Sequence, residues 1–433
     1  IGGRTRAGPA QIAVISSGFM GMVSGSSVAN VASTGALTIP LMKKVGFKSE
    51  FAGAVESVAS TGGQITPPVM GLAAFLIVGM TGIPYGEIVV AAIFPAIIFY
   101  AYLMFAVHLR AVRFNLDATA QVELTSQFES PEPLWLACLK HLHFFVATAY
   151  LVTILIMVNM PGRAALQASA ILIAIYIVRE LLLSWRGIVA IATNILRLLC
   201  TIAYDGALRG AQVAVVVAVI GVLVDILAVT GFSQKLSFFM LELAGGNLAL
   251  LLVVAAFACL AFGLGLPTSA AYILVALLGA PALVQLGVPL IAAHMFVFFF
   301  ANISAITPPV AICCLVAAKI AQGSFFRTSF IAVRLGLPGF ILPFLFVVHP
   351  EILGVDSNFL STAFAATLAL IGVITLNVIL EGYLMRPLSM IERALLLPAA
   401  FGMLHPSLWA SLVGIALLAL VAGRQWLQRE LPT

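Results

Sequence analysis

The chain has 433 residues, of which 62% are hydrophobic and only 9% are charged, and its mean hydropathy is +1.16. A soluble domain cannot bury so much apolar surface, so the composition predicts a membrane protein. The net charge of +5 does not indicate nucleic-acid binding, because the basic residues are scattered between apolar segments instead of clustering on one face.

Several apolar runs are long enough to cross the roughly 30 Å hydrocarbon core of a membrane as helices. These runs are residues 88–108, 141–159, 164–183, 210–230, 327–348, 359–380 and 406–423. They predict an all-α polytopic membrane protein. The chain begins with Ile1 and no signal peptide precedes the first apolar run, which suggests that an N-terminal part is missing.

Residues 1–80 contain the first unusual segment. Two half-length apolar stretches within 10–42 meet at a Gly/Ser-rich turn, and basic residues both precede and follow them. Because basic residues concentrate in cytoplasmic loops, both ends belong on the cytoplasmic side, which predicts a re-entrant hairpin over 10–42. The next helix, 49–80, runs outward and is broken near Pro67. Together these elements form the core of a first repeat.

Residues 81–246 form the scaffold helices that follow. The polar stretch 109–134 is predicted to be a cytoplasmic loop, and residues 186–209, with spaced arginines among leucines and isoleucines, an amphipathic helix lying on the cytoplasmic surface. The run 210–230 then crosses the membrane.

A second repeat core follows at 247–320. It is predicted to contain a hairpin over 247–283 and a broken helix over 288–320, and its Thr-Pro-Pro lies 241 residues after the first one. The end of this hairpin carries no charge, which predicts an extracytoplasmic location, so the two repeats are inverted relative to each other. Residues 321–433 form the C-terminal scaffold helices.

Paired helix breaks in two halves of a membrane protein are the best sequence indication of a transporter's binding site. Half-helix C-termini present carbonyl oxygens to a small cation, and half-helix N-termini present N–H groups to an anion. In the first half the candidate ion- and substrate-binding residues are Ser24, Gly25, Ser26, Ser27, Asn30, Thr61, Gly62, Gln64, Thr66 and Pro67. In the second half they are Gly265, Pro267, Thr268, Ser269, Asn302, Ser304, Thr307 and Pro308. Small polar residues also pack helices together, but two matched pairs of breaks favour a site.

Glu56 is the ionisable residue of most interest within the predicted spans, since an intramembrane carboxylate indicates a functional group. It is either a proton-coupling group or the partner of a scaffold cation. The histidines have no metal-ligand spacing, and no nucleotide-binding loop or catalytic set is found, so we expect neither an enzyme nor a cofactor.

The segments Gly21–Asn30, Thr38–Lys44 and Ser60–Pro68, with their counterparts Gly263–Ser269 and Asn302–Pro309, resemble the large membrane subunit of tripartite ATP-independent periplasmic (TRAP) transporters. These segments are similar to those of the TAXI-associated type, in which the small and large membrane subunits are fused. The resemblance covers most of residues 10–330 and is looser over 350–433.

This resemblance implies an elevator-type secondary symporter in the bacterial or archaeal inner membrane. Sodium is the implied coupling ion, bound between each hairpin turn and its partner break. A periplasmic substrate-binding protein would deliver the solute, usually an organic acid. The small-subunit helices are absent, which agrees with a missing N-terminal part, and the pair of helices at 141–183 is an addition to the family pattern.

The sequence leaves two alternatives open. A divalent-anion/sodium symporter with similar inverted hairpins would work without a binding protein. A membrane-embedded enzyme or an assembly scaffold is the alternative from a different class; an enzyme would need a polar catalytic cluster on the spans, and a scaffold has no need of paired breaks.

Overall fold

The computed structural model describes residues 7–116, 142–158, 161–183 and 188–428. Within these ranges every regular element is a helix, apart from an isolated bridge between Tyr383 and Pro387. Six of the described helices are long and apolar enough to cross a membrane, or up to seven when one bent pair counts as a single span. The prediction of an all-α polytopic membrane protein is therefore confirmed.

The described residues divide into two compact units. The larger unit takes residues from 1–83, 87–127 and 233–433, and the smaller takes residues from 84–86 and 128–232. The helices of the smaller unit are α6 (Leu142–Val158), α7 (Pro161–Leu183) and α8 (Ile188–Val229). The larger unit contains nearly all of the remaining helices: α1 (Gly8–Ser24), α2 (Ser27–Lys44), α3 (Ser49–Gly63), α4 (Ala73–Thr81), α5 (Tyr85–Arg113), α9 (Phe232–Ala244), α10 (Leu248–Gly263), α11 (Thr268–Gln285), α12 (Leu290–Ile303), α13 (Ile312–Ala321), α14 (Phe325–Leu335), α15 (Leu337–Val348), α16 (Phe359–Glu381), α17 (Met390–Leu404) and α18 (Leu408–Leu427).

The larger unit contains one helical pattern twice. Helices α2 and α11 begin 241 residues apart and also end 241 residues apart. In each half, a pair of contacting helices is followed by a helix that stops at a Thr-Pro-Pro, a non-helical break and a short second helix. The breaks occur where proline removes a backbone donor and restricts the residue before it.

The two copies of this pattern are interlocked within the larger unit. The short helix α13 of the second copy packs on α2 and α3 of the first, and α4 of the first packs on α11 and α12 of the second. At one end, the Lys43 ammonium donates a 2.7 Å hydrogen bond to the Ala321 carbonyl oxygen, so α2 and α13 end side by side.

The two long broken helices lie in the interior of this unit. In α12 the residues from Ala292 to Ile303 are all buried, and phenylalanine rings account for much of that packing. Phe296 and Phe300 both contact Phe344 of α15 edge-on, with centroid distances of 5.7 and 5.8 Å. In α3 the residues from Phe51 to Gly63 are also buried, although they include a glutamate and several hydroxyl side chains. Such polar burial requires hydrogen-bond partners.

The structure differs from the sequence-based prediction in three places. Where the sequence predicts a surface helix at 186–209 and a separate span at 210–230, the described residues form one continuous helix, α8, because no proline or glycine-rich break separates the two ranges. Helix α17 lies outside the predicted runs, since its two charged residues and Pro398 interrupt the hydropathy. The predicted loop 109–134 begins later than expected because α5 continues to Arg113, and its part beyond 116 lies outside the described residues.

Candidate functional site

The turn between α1 and α2 lies against the first break. Gly25 has a φ of +67° and Gly71 a φ of +60°, a left-handed conformation that favours glycine. A Cβ atom added to Gly71 would lie 2.9 Å from the Cα atom of Gly25, so no larger residue fits without a backbone shift. The turn and the break are therefore in backbone contact.

A second backbone contact joins α1 to the end of α3. A Cβ atom on Gly63 would lie 2.6 Å from the Cα atom of Gly21 and 2.9 Å from the carbonyl oxygen of Gly18. The end of α3 therefore depends on glycine for its close approach to α1. This contact positions the C-terminal carbonyl groups of α3 beside the hairpin.

The second copy repeats the arrangement with a hydroxyl group. The Ser304 side chain donates a 3.0 Å hydrogen bond to the carbonyl oxygen of Gly263, the last residue of α10. A Cβ atom on Gly263 would lie 2.8 Å from the Ser304 Oγ atom. Hence both breaks are held against the first helix of their own hairpin.

The two breaks also contact each other. Asn302 Nδ2 donates a 2.9 Å hydrogen bond to the carbonyl oxygen of Thr61, its counterpart 241 residues earlier. Nearby, the Cys313 thiol lies 3.1 Å from the hydroxyl oxygen of Ser27 and links α13 to the start of α2. The structure thus brings predicted site residues of both halves together.

Threonine hydroxyl groups cap the carbonyl oxygens at both breaks. Thr66 Oγ1 donates to the carbonyl oxygen of Gly62 at 2.8 Å, and Thr307 Oγ1 donates to that of Ile303 at 2.9 Å. A hydroxyl group that gives its proton to a carbonyl group keeps lone pairs for another partner. Both threonines are half-buried, and their oxygens suit a hard cation.

Three buried amide atoms at this site have no hydrogen-bond partner: Asn30 Oδ1, Asn302 Oδ1 and Gln64 Nε2. Leaving a buried polar atom unpaired costs about 1–3 kcal/mol, so such atoms require an explanation. Two of them are oxygens that match a small cation, and the third is an N–H donor that matches an anion or an acceptor group.

The other predicted site residues differ in their burial and in their hydrogen bonds. Ser24 and Ser26 hydrogen-bond within the turn, where the Ser26 hydroxyl accepts from the amide of Ala29 at 3.3 Å. Gly265 and Pro267 are exposed, whereas Thr268 is buried and Ser269 half-buried. The peptide bonds Pro67-Pro68 and Pro308-Pro309 are both cis.

Glu56 is completely buried on α3 and joins both helices of the first hairpin to the broken helix. Its carboxylate accepts hydrogen bonds from Ser17 of α1 at 2.8 Å, from Thr34 and Thr38 of α2, the latter at 2.6 Å, and from Ser60 at 3.3 Å. In the described part of the chain no basic side chain pairs with it. The expected partnership with a scaffold cation is therefore not seen there.

Sequence reasoning missed the hydroxyl groups around Glu56 and the Cys313 contact. Helical spacing offered a weak signal for some of them, because Ser60 follows Glu56 by four residues and Thr38 follows Thr34 by four. The contribution of Ser17 comes from a different helix and has no such signal. Among the described residues no group of three or more His, Cys, Asp or Glu side chains could hold a metal ion.

Comparison with known proteins identifies the family of the chain. Residues 1–360 match the family model described as "Tripartite ATP-independent periplasmic transporter, DctM component". The chain is also 34% identical over 110 residues to a protein of Sinorhizobium fredii named "Uncharacterized protein y4mL". That match spans 25% of this chain and 26% of the relative, so the chain covers about a quarter of the relative's length.

Proposed function

Because this chain belongs to the tripartite ATP-independent periplasmic transporter family, as its DctM component, we propose that it is a permease that couples the uptake of a small organic acid to sodium entry. The family is one of transporters, and we accordingly expect transport and no enzymatic activity. The substrate class and sodium coupling are the parts of the proposal that require experiment.

The observation that carries the proposal is the meeting of two helix breaks with buried, unpaired amide atoms around them. Asn302 bridges to Thr61 through its nitrogen, while its oxygen and that of Asn30 have no partner. Oxygen ligands of this kind suit a sodium ion, and partial negative charge at helix C-termini adds to the attraction. We assign one sodium ion to each break, with the Thr66 and Thr307 hydroxyl groups among the ligands.

The substrate anion would lie between these two ion sites. Gln64 Nε2 is a buried donor without a partner, and the N-terminus of α2 begins at Ser27. A carboxylate would satisfy the donor and interact favourably with the positive end of the helix dipole. This assignment gives the sodium ions a second role, because their charge offsets that of the substrate.

The predicted inverted topology is supported by the contact between the end of the first hairpin and the end of the second broken helix. Lys43, at the end of the first hairpin, contacts Ala321, at the end of the second broken helix. Lys48 and Arg110 line one cavity. We propose that this end faces the cytoplasm, as the distribution of basic residues predicts.

We propose an elevator movement, with one revision to the sequence-based division into scaffold and core. A Cβ atom on Gly62 would lie 2.4 Å from the Phe99 ring of α5, and one on Gly339 would lie 2.1 Å from the Ile303 side chain. Surfaces that depend on glycine do not slide easily past each other. We therefore assign α5 and α15 to the moving unit instead of the scaffold, and keep α6, α7 and α8 as scaffold helices.

The remaining partners follow from the family. A periplasmic substrate-binding protein would deliver the solute, and a small membrane subunit, separate or fused as in the TAXI-associated type, would complete the scaffold. The location would be the inner membrane of a bacterium or an archaeon.

The test is uptake by the purified chain in liposomes, with its small subunit and a candidate binding protein loaded with a radiolabelled organic acid. We expect accumulation only when an inward sodium gradient and the binding protein are both present. Uptake that needs sodium but not the binding protein would favour the divalent-anion symporter. Uptake driven fully by a proton gradient and abolished by Glu56→Gln would reassign the coupling ion.

A further inference from the structure

A cluster of basic side chains lies away from the helix breaks, where α3, α5, α14 and α16 meet. Its centre is Glu381, whose side chain is only 6% exposed. Arg110 contacts one carboxylate oxygen of Glu381 at 2.7 Å, Arg113 contacts the same oxygen at 3.2 Å, and Arg334 contacts the other at 2.6 Å. Glu381 is thus the shared partner of three arginines, and it lies beyond the family match, which ends at residue 360.

The charges of this cluster do not balance. Three guanidinium groups carry about fifteen N–H donors, whereas one carboxylate has about four acceptor sites. Each of the three arginine side chains is between 23% and 37% exposed. Among the residues that the structure describes, the cluster therefore keeps an excess of positive charge and of donors that an external anion can reach.

An aromatic cavity of about 150 Å³ is lined by Arg110. Arg113 lies at its edge, with its guanidinium 5.4 Å from the Phe114 ring of the lining. Phe47 and Phe51 stack at 5.4 Å on one wall, and the guanidinium of Arg110 lies over the rings of Phe51 and Phe114 at 5.3 and 4.4 Å. Lys48 supplies a further positive charge to the lining. A smaller cavity lined by Arg110, Arg334 and Glu381 shares the Phe51 and Arg110 walls.

The two surfaces together match an amphiphilic anion. Arginine binds phosphate oxygens in a bidentate manner, and lysine supports it as a point charge. The Phe114 ring, which is 48% exposed at the end of α5, offers an apolar surface beside the charges. Basic pockets between helices on the cytoplasmic side of membranes take anionic lipid head groups.

We propose that this cavity binds the phosphate head group of an anionic membrane phospholipid, with Lys48, Arg110 and Arg113 as ligands and Glu381 as the residue that positions the arginines. A free organic or inorganic anion lacks the acyl chain that would cover the aromatic surface. The proposal depends on the membrane orientation given above and is independent of sodium coupling.

The experiment measures binding of a fluorescent short-chain phosphatidylglycerol to the full chain in neutral detergent, with phosphatidylcholine as competitor. We expect saturable binding that phosphatidylcholine does not displace. Lys48→Gln and Arg113→Gln should each weaken it about fivefold, which corresponds to about 1 kcal/mol for each basic residue near a membrane surface. Arg327→Gln, an exposed position on α14 outside the cavity, is the matched control and should bind as the unaltered chain does.

Arg113→Lys separates a built site from diffuse attraction, because it keeps the charge and removes the planar fork. Glu381 retains Arg110 and Arg334 in this variant, so the fold is preserved. A built site predicts affinity between that of the unaltered chain and that of Arg113→Gln. Equal affinity in Arg113→Lys and the unaltered chain, an equal loss in Arg327→Gln, or displacement of the lipid by millimolar inorganic phosphate would overturn the proposal.

Discussion

Replacing Gly63 by alanine should separate the first hairpin from the broken helix. The added Cβ atom would lie 2.6 and 2.8 Å from the Cα and carbonyl carbon atoms of Gly21 and 2.9 Å from the Gly18 carbonyl oxygen. Carbon atoms pack best at about 3.5–4.0 Å, so α1 has to move by about 1 Å. All three contacts are backbone atoms, and no side chain can rotate away.

The size of this effect follows from packing energies. Overpacking of a close-packed interior costs about 1–3 kcal/mol, which lowers a thermal unfolding midpoint by a few degrees. Alanine also gains up to about 1 kcal/mol over glycine inside a helix. Gly79→Ala is the matched control, because Gly79 lies in α4 with nothing within 4 Å of an added Cβ atom.

The assay compares the thermal unfolding midpoints of both variants in detergent and their sodium-dependent uptake in liposomes. Gly63→Ala should lower the midpoint and raise the sodium concentration for half-maximal uptake, while Gly79→Ala should change neither or raise the midpoint slightly. If Gly63→Ala is as stable and as active as Gly79→Ala, the close contact between the hairpin and the break is not part of the working protein.

Three other predictions address the ions and the topology. Thr66→Ala and Thr307→Ala should each raise the sodium concentration for half-maximal uptake, whereas Thr367→Ala, which removes the same type of hydroxyl-to-carbonyl bond from an exposed helix face, should not; equal effects in all three would indicate a general helix effect. Glu56→Gln keeps the shape of the buried group and its hydroxyl partners can reverse their donor roles, so uptake should keep its sodium dependence, and a lost response to sodium would contradict this. A cysteine at Lys43 in a cysteine-free background should react with an impermeant maleimide only from the cytoplasmic side, and labelling from outside would refute the cytoplasmic location of this end.

The breaks were predictable from the sequence because their cause is local. Two consecutive prolines after a threonine, at 67–68 and 308–309, remove two adjacent backbone donors and restrict the preceding residue, and the structure has non-helical backbone at both positions. Single prolines such as Pro40 and Pro281 lie inside continuous helices. The common offset of 241 residues was visible for the same reason. The contact between the two breaks, through Asn302 and Thr61, was less predictable. It follows only if the two halves are repeats that pack against each other.

Other features depend on contacts between distant segments and had no signature. The hydroxyl group of Ser17 reaches Glu56 because α1 and α3 approach each other closely at Gly21 and Gly63. The sequence does not distinguish a glycine that permits close helix packing from a glycine in a flexible segment. The cluster around Glu381 joins residues separated by up to 271 positions. The continuous helix α8 was missed because its spaced arginines imitate a surface helix.

Equilibrium binding of radioactive sodium to the purified chain tests whether the helix breaks hold sodium ions, and it needs neither a known solute nor a binding protein. We expect saturable binding that potassium does not displace. Asn302→Ala and Thr307→Ala should weaken it, and Thr367→Ala should not. Absence of saturable sodium binding above a potassium background, or binding that is unchanged in the Asn302 and Thr307 variants, would contradict the assignment of the ion sites to the helix breaks.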